Sequence, residues 1–509
     1  MAEMPSPQPP RGRPTGVPLP PNIAAALVFF ASGGVLVLEI VSLRLVAPYV
    51  GITLQTNTAV IGVALAAIAL GAWTGGRLAD QSDPRRLIPA TLVVAGVLTM
   101  LTLPLVRVLG PVMQSTDPLT ATALAFAGVF APSACLAAVT PMVVKLQLRD
   151  LGRTGSVVGR LSGIGTLGAI LATFATGFVL IAALPSSVIV IGLGLVTLVI
   201  GLALGIAPGS PWRPPVALVL VGVLGAGVSG VVPSPCQTET AYHCARAVAD
   251  PARPAGRYLV LDTLLHSYVD VSDPTYLQFP YVQAIGSVAD VARPNGQPLR
   301  ALHIGGGGLT LPRYLAATRP GTQDRVLEID GGIVAFDRAQ LGLRDLPGLT
   351  IDVGDARVGL TTEPAGGRDL VVGDAFGGLA VPWHLTTREV VSEIRRILRP
   401  DGVYAVNVID FAPDRFARAE VATIASVFPN VAIVADQQSL TLAGGTGGNF
   451  VIVASAAPLP IAALRSRLDQ RGSALTVATD DQVARLAAGG LVLRDDYAPV
   501  DQLLTRRPA

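Results

Sequence analysis

Seven apolar runs stand in series at 23–43, 57–76, 87–107, 120–144, 160–183, 186–206 and 216–233. Most reach the ~20 residues that an α-helix needs to cross a bilayer core. One soluble core cannot cover so many uncharged runs, so the sequence predicts a multi-pass α-helical membrane domain of about seven helices over residues 23–233. Composition agrees. Apolar types make up 51% of the 509 residues and charged types 14%, where a soluble protein carries roughly a quarter charged. Residues 1–22 form a Pro-rich tail. The run after it is not read as a signal peptide, because no small-residue cleavage site follows and Glu39 and Arg44 interrupt its end. Lys and Arg are biased: ten lie in the tail and the second, fourth and sixth loops, and two, Arg44 and Arg107, in the alternate loops. That bias predicts a cell-membrane protein with a cytoplasmic N-terminus and, after seven crossings, an outside C-terminal half. One crossing fewer reverses the second placement. Gly71 and Gly75, Gly159 and Gly163, then Gly165 and Gly168, have spacings that let helices approach closely.

Near residue 233 the character changes. Residues 1–233 hold twelve Lys/Arg and six Asp/Glu, and the remainder 25 and 29, mixed evenly as in a soluble domain. The net charge of +2, with no basic block, argues against a nucleic-acid partner. Three cysteines are too few for a disulfide scaffold. Cys236 and Cys244 either close a small loop in an oxidising compartment or stand as free thiols. No His/Cys spacing suggests a metal site.

Residues 234–290 read as a small β subdomain with strands at 242–248, 257–262 and 267–271. From 291 to 509 strands alternate with helices, at 300–304, 325–329, 349–353, 370–373, 402–408, 431–435 and 450–454, with a helix at 386–398. Their apolar runs are those of buried parallel strands, which predicts an α/β doubly wound Rossmann-like sheet. Ligands of such sheets lie beyond the carboxyl ends of the strands. The first strand runs into Gly305, Gly306, Gly307 and Gly308. The second ends at Glu328 and Asp330, with Glu328 twenty residues past Gly308, the offset of a ribose-binding acid. The third leads to Gly354, Asp355 and Ala356, and the fourth to Gly373, Asp374, Ala375 and Phe376. The same acids also suit helix caps and turns. No phosphate-cradling Lys is present, which favours a nucleoside over ATP.

These segments resemble the spermidine synthases (polyamine aminopropyltransferases), on the fold of S-adenosylmethionine-dependent methyltransferases. The likeness is carried by HIGGGG (303–308), VLEID (326–330), GDA (354–356), GDAF (373–376), VPWHLTTREV (381–390), LRPDGVYAVNV (398–408) and DDYAPVD (495–501). The whole chain looks like versions in which that domain follows a membrane region. The resemblance implies transfer of a propylamine group from decarboxylated S-adenosylmethionine, a co-substrate and not a bound cofactor, to putrescine or a related amine, releasing 5′-methylthioadenosine. It implies Asp374 as proton acceptor, and Gly305, Gly306, Gly307, Glu328, Asp355 and Ala356 around the nucleoside. Tyr281, His243 and His266 fall on the amine side, although the sequence pairs neither histidine with a base. Implied partners are the bilayer and a small amine; relatives form dimers or tetramers, so a homo-oligomer is compatible.

Three departures stand on the amine side: Gly308 where the family has Asp, Val282 where it has His, and Gly377 where it has a second Asp. Two other functions therefore stay open, a transferase of the same donor type with a different acceptor, and a non-catalytic binding or transport-associated protein.

Overall fold

The computed structural model describes residues 19–114, 118–148, 150–207, 210–213, 215–294, 296–440 and 447–505. The chain divides into two compact units, Met1–Val50 with Gln55–Ser234, and Gly51–Leu54 with Pro235–Ala509.

Among the described residues of the first unit, six helices are long and apolar enough to cross a membrane: Pro21–Val50, Leu54–Gln81, Pro84–Leu109, Leu119–Gln147, Thr154–Ala183 and Ser186–Ile206. The seventh run behaves differently. It folds as a helix only over the 13 residues Val216–Val228, about 20 Å at 1.5 Å per residue, short of a hydrocarbon core of about 30 Å. Pro215 precedes it, and a turn through Ser229 and Gly230 ends it. Some of the glycine spacings mark helix contacts. A Cβ on Gly71 would lie 2.2 Å from the Ala134 carbonyl oxygen, and one on Gly75 2.5 Å from that of Ala138. One on Gly168 would lie 2.3 Å from the Phe29 oxygen. Gly159 and Gly163 do not pack this way, since nothing lies within 4 Å of either Cβ position.

The second unit opens with an antiparallel sheet of four strands in sequential order: β1 (Thr238–Glu239), β2 (Cys244–Asp250), β3 (Arg253–Leu261) and β4 (Leu264–Asp270). Each pairs with its sequence neighbour through a short turn, which is the simplest topology for consecutive strands. Cys236 and Cys244 are joined as a disulfide across its edge.

Eight further strands form the main sheet: β5 (Arg300–Ile304), β6 (Gln323–Glu328), β7 (Leu349–Val353), β8 (Arg368–Gly373), β9 (Leu398–Asp410), β10 (Asn430–Ala435), β11 (Gly448–Ser455) and β12 (Thr476–Val477). Their spatial order is β12-β10-β11-β9-β8-β5-β6-β7. β7, β6, β5, β8 and β9 are mutually parallel. The expectation of a parallel sheet throughout fails beyond β9. There β11 runs antiparallel to β9, β10 to β11 and β12 to β10. An apolar run records burial on both faces and not strand direction, so the sequence could not separate the two.

Both faces of the sheet are covered. On one lie Val390, Val391, Ile394 and Ile397, the apolar stripe of the helix Arg388–Ile397. On the other lie Ala284, Ile285, Val288 and Ala289 of the helix Pro280–Ala292. Strand order reverses at β5, whose sheet neighbours β6 and β8 lie on its opposite sides. A crevice opens at such a point.

Candidate active site

A cavity of about 330 Å³ lies beyond the carboxyl ends of β5 to β8, walled on another side by the β3–β4 hairpin. Every site residue singled out from the sequence lines it: His243, His266, Tyr281, Gly305, Gly306, Gly307, Glu328, Asp355, Ala356 and Asp374.

The glycine loop is shaped by its neighbours. Gly305 has φ +93°, in the left-handed region. A Cβ there would also lie 2.5 Å from the Asp374 carbonyl oxygen, so the loop lies directly on the end of β8. The Gly306 amide donates to Glu328 Oε2 at 2.7 Å, and the Asp330 amide to Glu328 Oε1 at 2.8 Å. Glu328 therefore ties the loop to the next helix, yet each carboxylate oxygen keeps a lone pair for a ligand hydroxyl. Asp330 does structural work instead. It is buried, caps the helix Gly331–Gln340 through the Gly332 amide at 2.9 Å, and accepts the Thr240 hydroxyl. Asp355 caps the helix Ala356–Thr361 through the Arg357 amide at 2.7 Å, and its Oδ2 lies 3.6 Å from His384 Nε2. Arg357 holds that corner, donating to the His384 carbonyl at 2.8 Å and to Asp495 Oδ1 at 2.9 Å.

Asp374 stands at the end of β8, facing the cavity. Asn407 Nδ2 donates to its Oδ1 at 2.9 Å, and Asn449 Nδ2 donates to Asn407 Oδ1 at 2.9 Å. This chain fixes which way the Asn407 amide points. Desolvation pushes the Asp374 pKa up to about 6, against the opposing hydrogen bonds from Asn407 and Tyr281 and the charge of His303. The Tyr281 hydroxyl has two acceptors in reach for its one proton, Asp374 and the His266 carbonyl at 3.3 Å, and its pKa is held well above the usual phenol range by burial and by Asp374.

Burial lowers His266 to about 4, and His243 adds to the effect. Its imidazole is therefore neutral near pH 7. Contrary to the sequence reading, His243 does have an acidic partner: its Nδ1 lies 3.1 Å from Asp262 Oδ2. Asp262 sits in the tight turn joining β3 to β4, brought alongside by strand pairing from nineteen residues away.

Sequence reasoning missed Asn407, Asn449, Ser267 and Asp262. Asn407 left a signal, as a lone amide within the apolar strand VYAVNV. Ser267, whose hydroxyl accepts the Gly308 amide at 3.0 Å, left none.

Two of the three departures have local physical causes. A Cβ on Gly308 would lie 3.0 Å from Val269 Cγ2 and 3.1 Å from Ser267 Cβ, so a longer side chain is crowded by β4. Val282 is buried in the core under the sheet. Nothing lies within 4 Å of a Cβ on Gly377, so no crowding accounts for glycine there.

No protein-family model matches the chain. The chain is similar to a polyamine aminopropyltransferase of Vibrio vulnificus, 32% identical over 163 residues, which are 32% of this chain and 52% of that protein. It thus spans about half the length of that relative. A polyamine aminopropyltransferase of Chromobacterium violaceum is 24% identical over 209 residues, 40% of this chain and 76% of that protein. Among solved structures, a probable spermidine synthase from Corynebacterium glutamicum is 26% identical, over 52% of this chain and 97% of that one, with a TM-score of 0.48.

Proposed function

We propose that the second unit, similar in sequence to polyamine aminopropyltransferases, transfers a propylamine group from a decarboxylated S-adenosylmethionine to an amine, and that the six long apolar helices anchor it in a membrane. One observation carries the reading: Asp374, with its pKa near 6, shares a single cavity with Glu328 and Asp355. A carboxylate with that pKa is ionised near neutral pH and is a stronger base than an ordinary aspartate.

The roles follow from position. Glu328 offers its remaining lone pairs to ribose hydroxyls, while Asp355 and Ala356 border the adenine. Gly305, Gly306 and Gly307 leave room for the sulfur and its substituents. The amine nitrogen attacks the propyl carbon attached to the sulfonium. The carbon–sulfur bond breaks with its electron pair going to sulfur, leaving neutral 5′-methylthioadenosine. The amine proton passes to Asp374, which Asn407 and Tyr281 hold in orientation. The gain comes from alignment and from removing the proton where the new bond forms.

The test uses the purified full chain in detergent. Calorimetry reads donor binding, and 5′-methylthioadenosine release reads turnover with amines. Donor that fails to bind would remove the reading. Donor binding with no turnover on any amine would favour a binding protein.

For orientation two placements stand: six crossings return the second unit to the side of the N-terminus, which loop charge puts in the cytoplasm, and a seventh through Val216–Val228 puts it outside. The Cys236–Cys244 bridge favours the outside placement, since disulfides persist in oxidising compartments. It depends on the short helix Val216–Val228 completing a seventh crossing. A reporter fused after Ala509 reads the side directly; cytoplasmic activity overturns it.

A further inference from the structure

Among the described residues, the amine side of the cavity offers one carboxylate. Of the three acids lining the cavity, Glu328 and Asp355 stand at the ends of β6 and β7 and are engaged by backbone amides. Only Asp374 remains near Tyr281 and the hairpin. The wall on the hairpin side is built from His243, Leu264, Leu265, His266, Ser267 and Phe279. His266 is neutral at physiological pH. Asp262 does not line the cavity; its two oxygens take the Cys244 amide and His243. Leu265 is 60% exposed, an apolar side chain left open at a cavity wall.

A diamine carries a positive charge at each end at neutral pH. With one end at Asp374, the other would lie along a wall of leucines, imidazoles and a serine hydroxyl, without meeting a carboxylate. An alkyl tail would instead cover Leu264 and Leu265 and gain from burial. The donor adds its own ammonium to the same region, which further disfavours a third cation.

Resting on the aminopropyl-transfer reading, we infer that the acceptor is a primary monoamine, with its single amine at Asp374 and an uncharged, largely apolar tail along Leu264, Leu265 and Phe279. The transfer is balanced as described: nitrogen–carbon bond formed, carbon–sulfur bond broken, proton to Asp374, electron pair to sulfur.

The test compares putrescine with n-pentylamine, which replaces one terminal ammonium by a methyl group at the same chain length. The full chain in detergent, given decarboxylated S-adenosylmethionine, is assayed for 5′-methylthioadenosine release. The expected result is kcat/KM at least tenfold higher for pentylamine. Equal values, a preference for putrescine, or turnover of neither amine by a donor-binding protein overturns the inference. Leu265→Asp, at an exposed position, supplies the missing charge without burdening the core. It should raise the putrescine-to-pentylamine ratio at least tenfold, and an unchanged ratio also counts against the inference. Absent donor binding, read by calorimetry with no amine present, would instead sink the transfer reading itself.

Discussion

Replacing Asp374 by asparagine should abolish turnover and stabilise the protein, with a stability gain that depends on pH. Folding moves this carboxyl from its ordinary value of 3.8 to about 6, chiefly by desolvation. Between those values the unfolded chain has released the proton and the folded chain still holds it, so native stability falls as pH rises. Above pH 6 the cost is complete. A shift of about two pKa units corresponds to ~3 kcal/mol, at roughly 1.4 kcal/mol per unit. Asparagine has no proton to lose in this range and keeps an oxygen to accept from Asn407. The stability gap between Asp374→Asn and the parent should therefore be small at pH 4 and approach ~3 kcal/mol by pH 7.5. That is several degrees in the melting temperature of a domain this size. Thermal unfolding of both proteins at pH 5 and pH 8, in one detergent, measures it. A gap that does not widen between those values would refute the electrostatic account. Turnover retained within tenfold would refute the assignment of Asp374 as proton acceptor.

Other perturbations have definite outcomes. For the parent protein, kcat/KM should fall about tenfold per pH unit below pH 6, as the acceptor of the proton becomes protonated; a flat profile from pH 5 to 8 contradicts this. Glu328→Gln leaves one backbone amide, of Gly306 or Asp330, without an acceptor oxygen, which costs about 1–3 kcal/mol. Donor affinity by calorimetry should drop at least tenfold, and unchanged affinity would place the nucleoside elsewhere. Gly305→Ala forces a methyl group against the Asp374 carbonyl at a left-handed φ, and should lower both melting temperature and donor affinity; parental values for both would show the loop to be adaptable. His266, held to about 4 when folded, contributes stability above its unfolded pKa of 6.5 that is lost as pH falls toward 4. His266→Phe should weaken that acid-side loss, measured as melting temperature between pH 6.5 and 4.5.

The order in which this chain yields to reading has a physical basis. Periodicity and length reveal an element whenever burial dictates side-chain type. For that reason residues 300–304 and 349–353 emerge from the sequence with the bounds seen for β5 and β7, and the helix at 386–398 lies within two residues of Arg388–Ile397. The site was legible in part because the crevice rule converts strand ends into positions, and Glu328, Asp355 and Asp374 stand at strand ends. What the chain order could not carry was anything that depends on which strands become neighbours.

By itself, then, the sequence determined an apolar helical half, an α/β half, and acids at successive strand ends, since each is a local consequence of hydrophobicity and backbone geometry. Only the tertiary structure decided that β11, β10 and β12 run antiparallel and that the seventh apolar run makes a helix of 13 residues. It alone joined Asn449 to Asn407 and Asn407 to Asp374, and brought His243 to Asp262. The reason is the same throughout. A hydrogen bond between residues far apart in the chain exists only after sheet pairing has brought them within 3 Å or so, and no residue's own preference records who its partner will be.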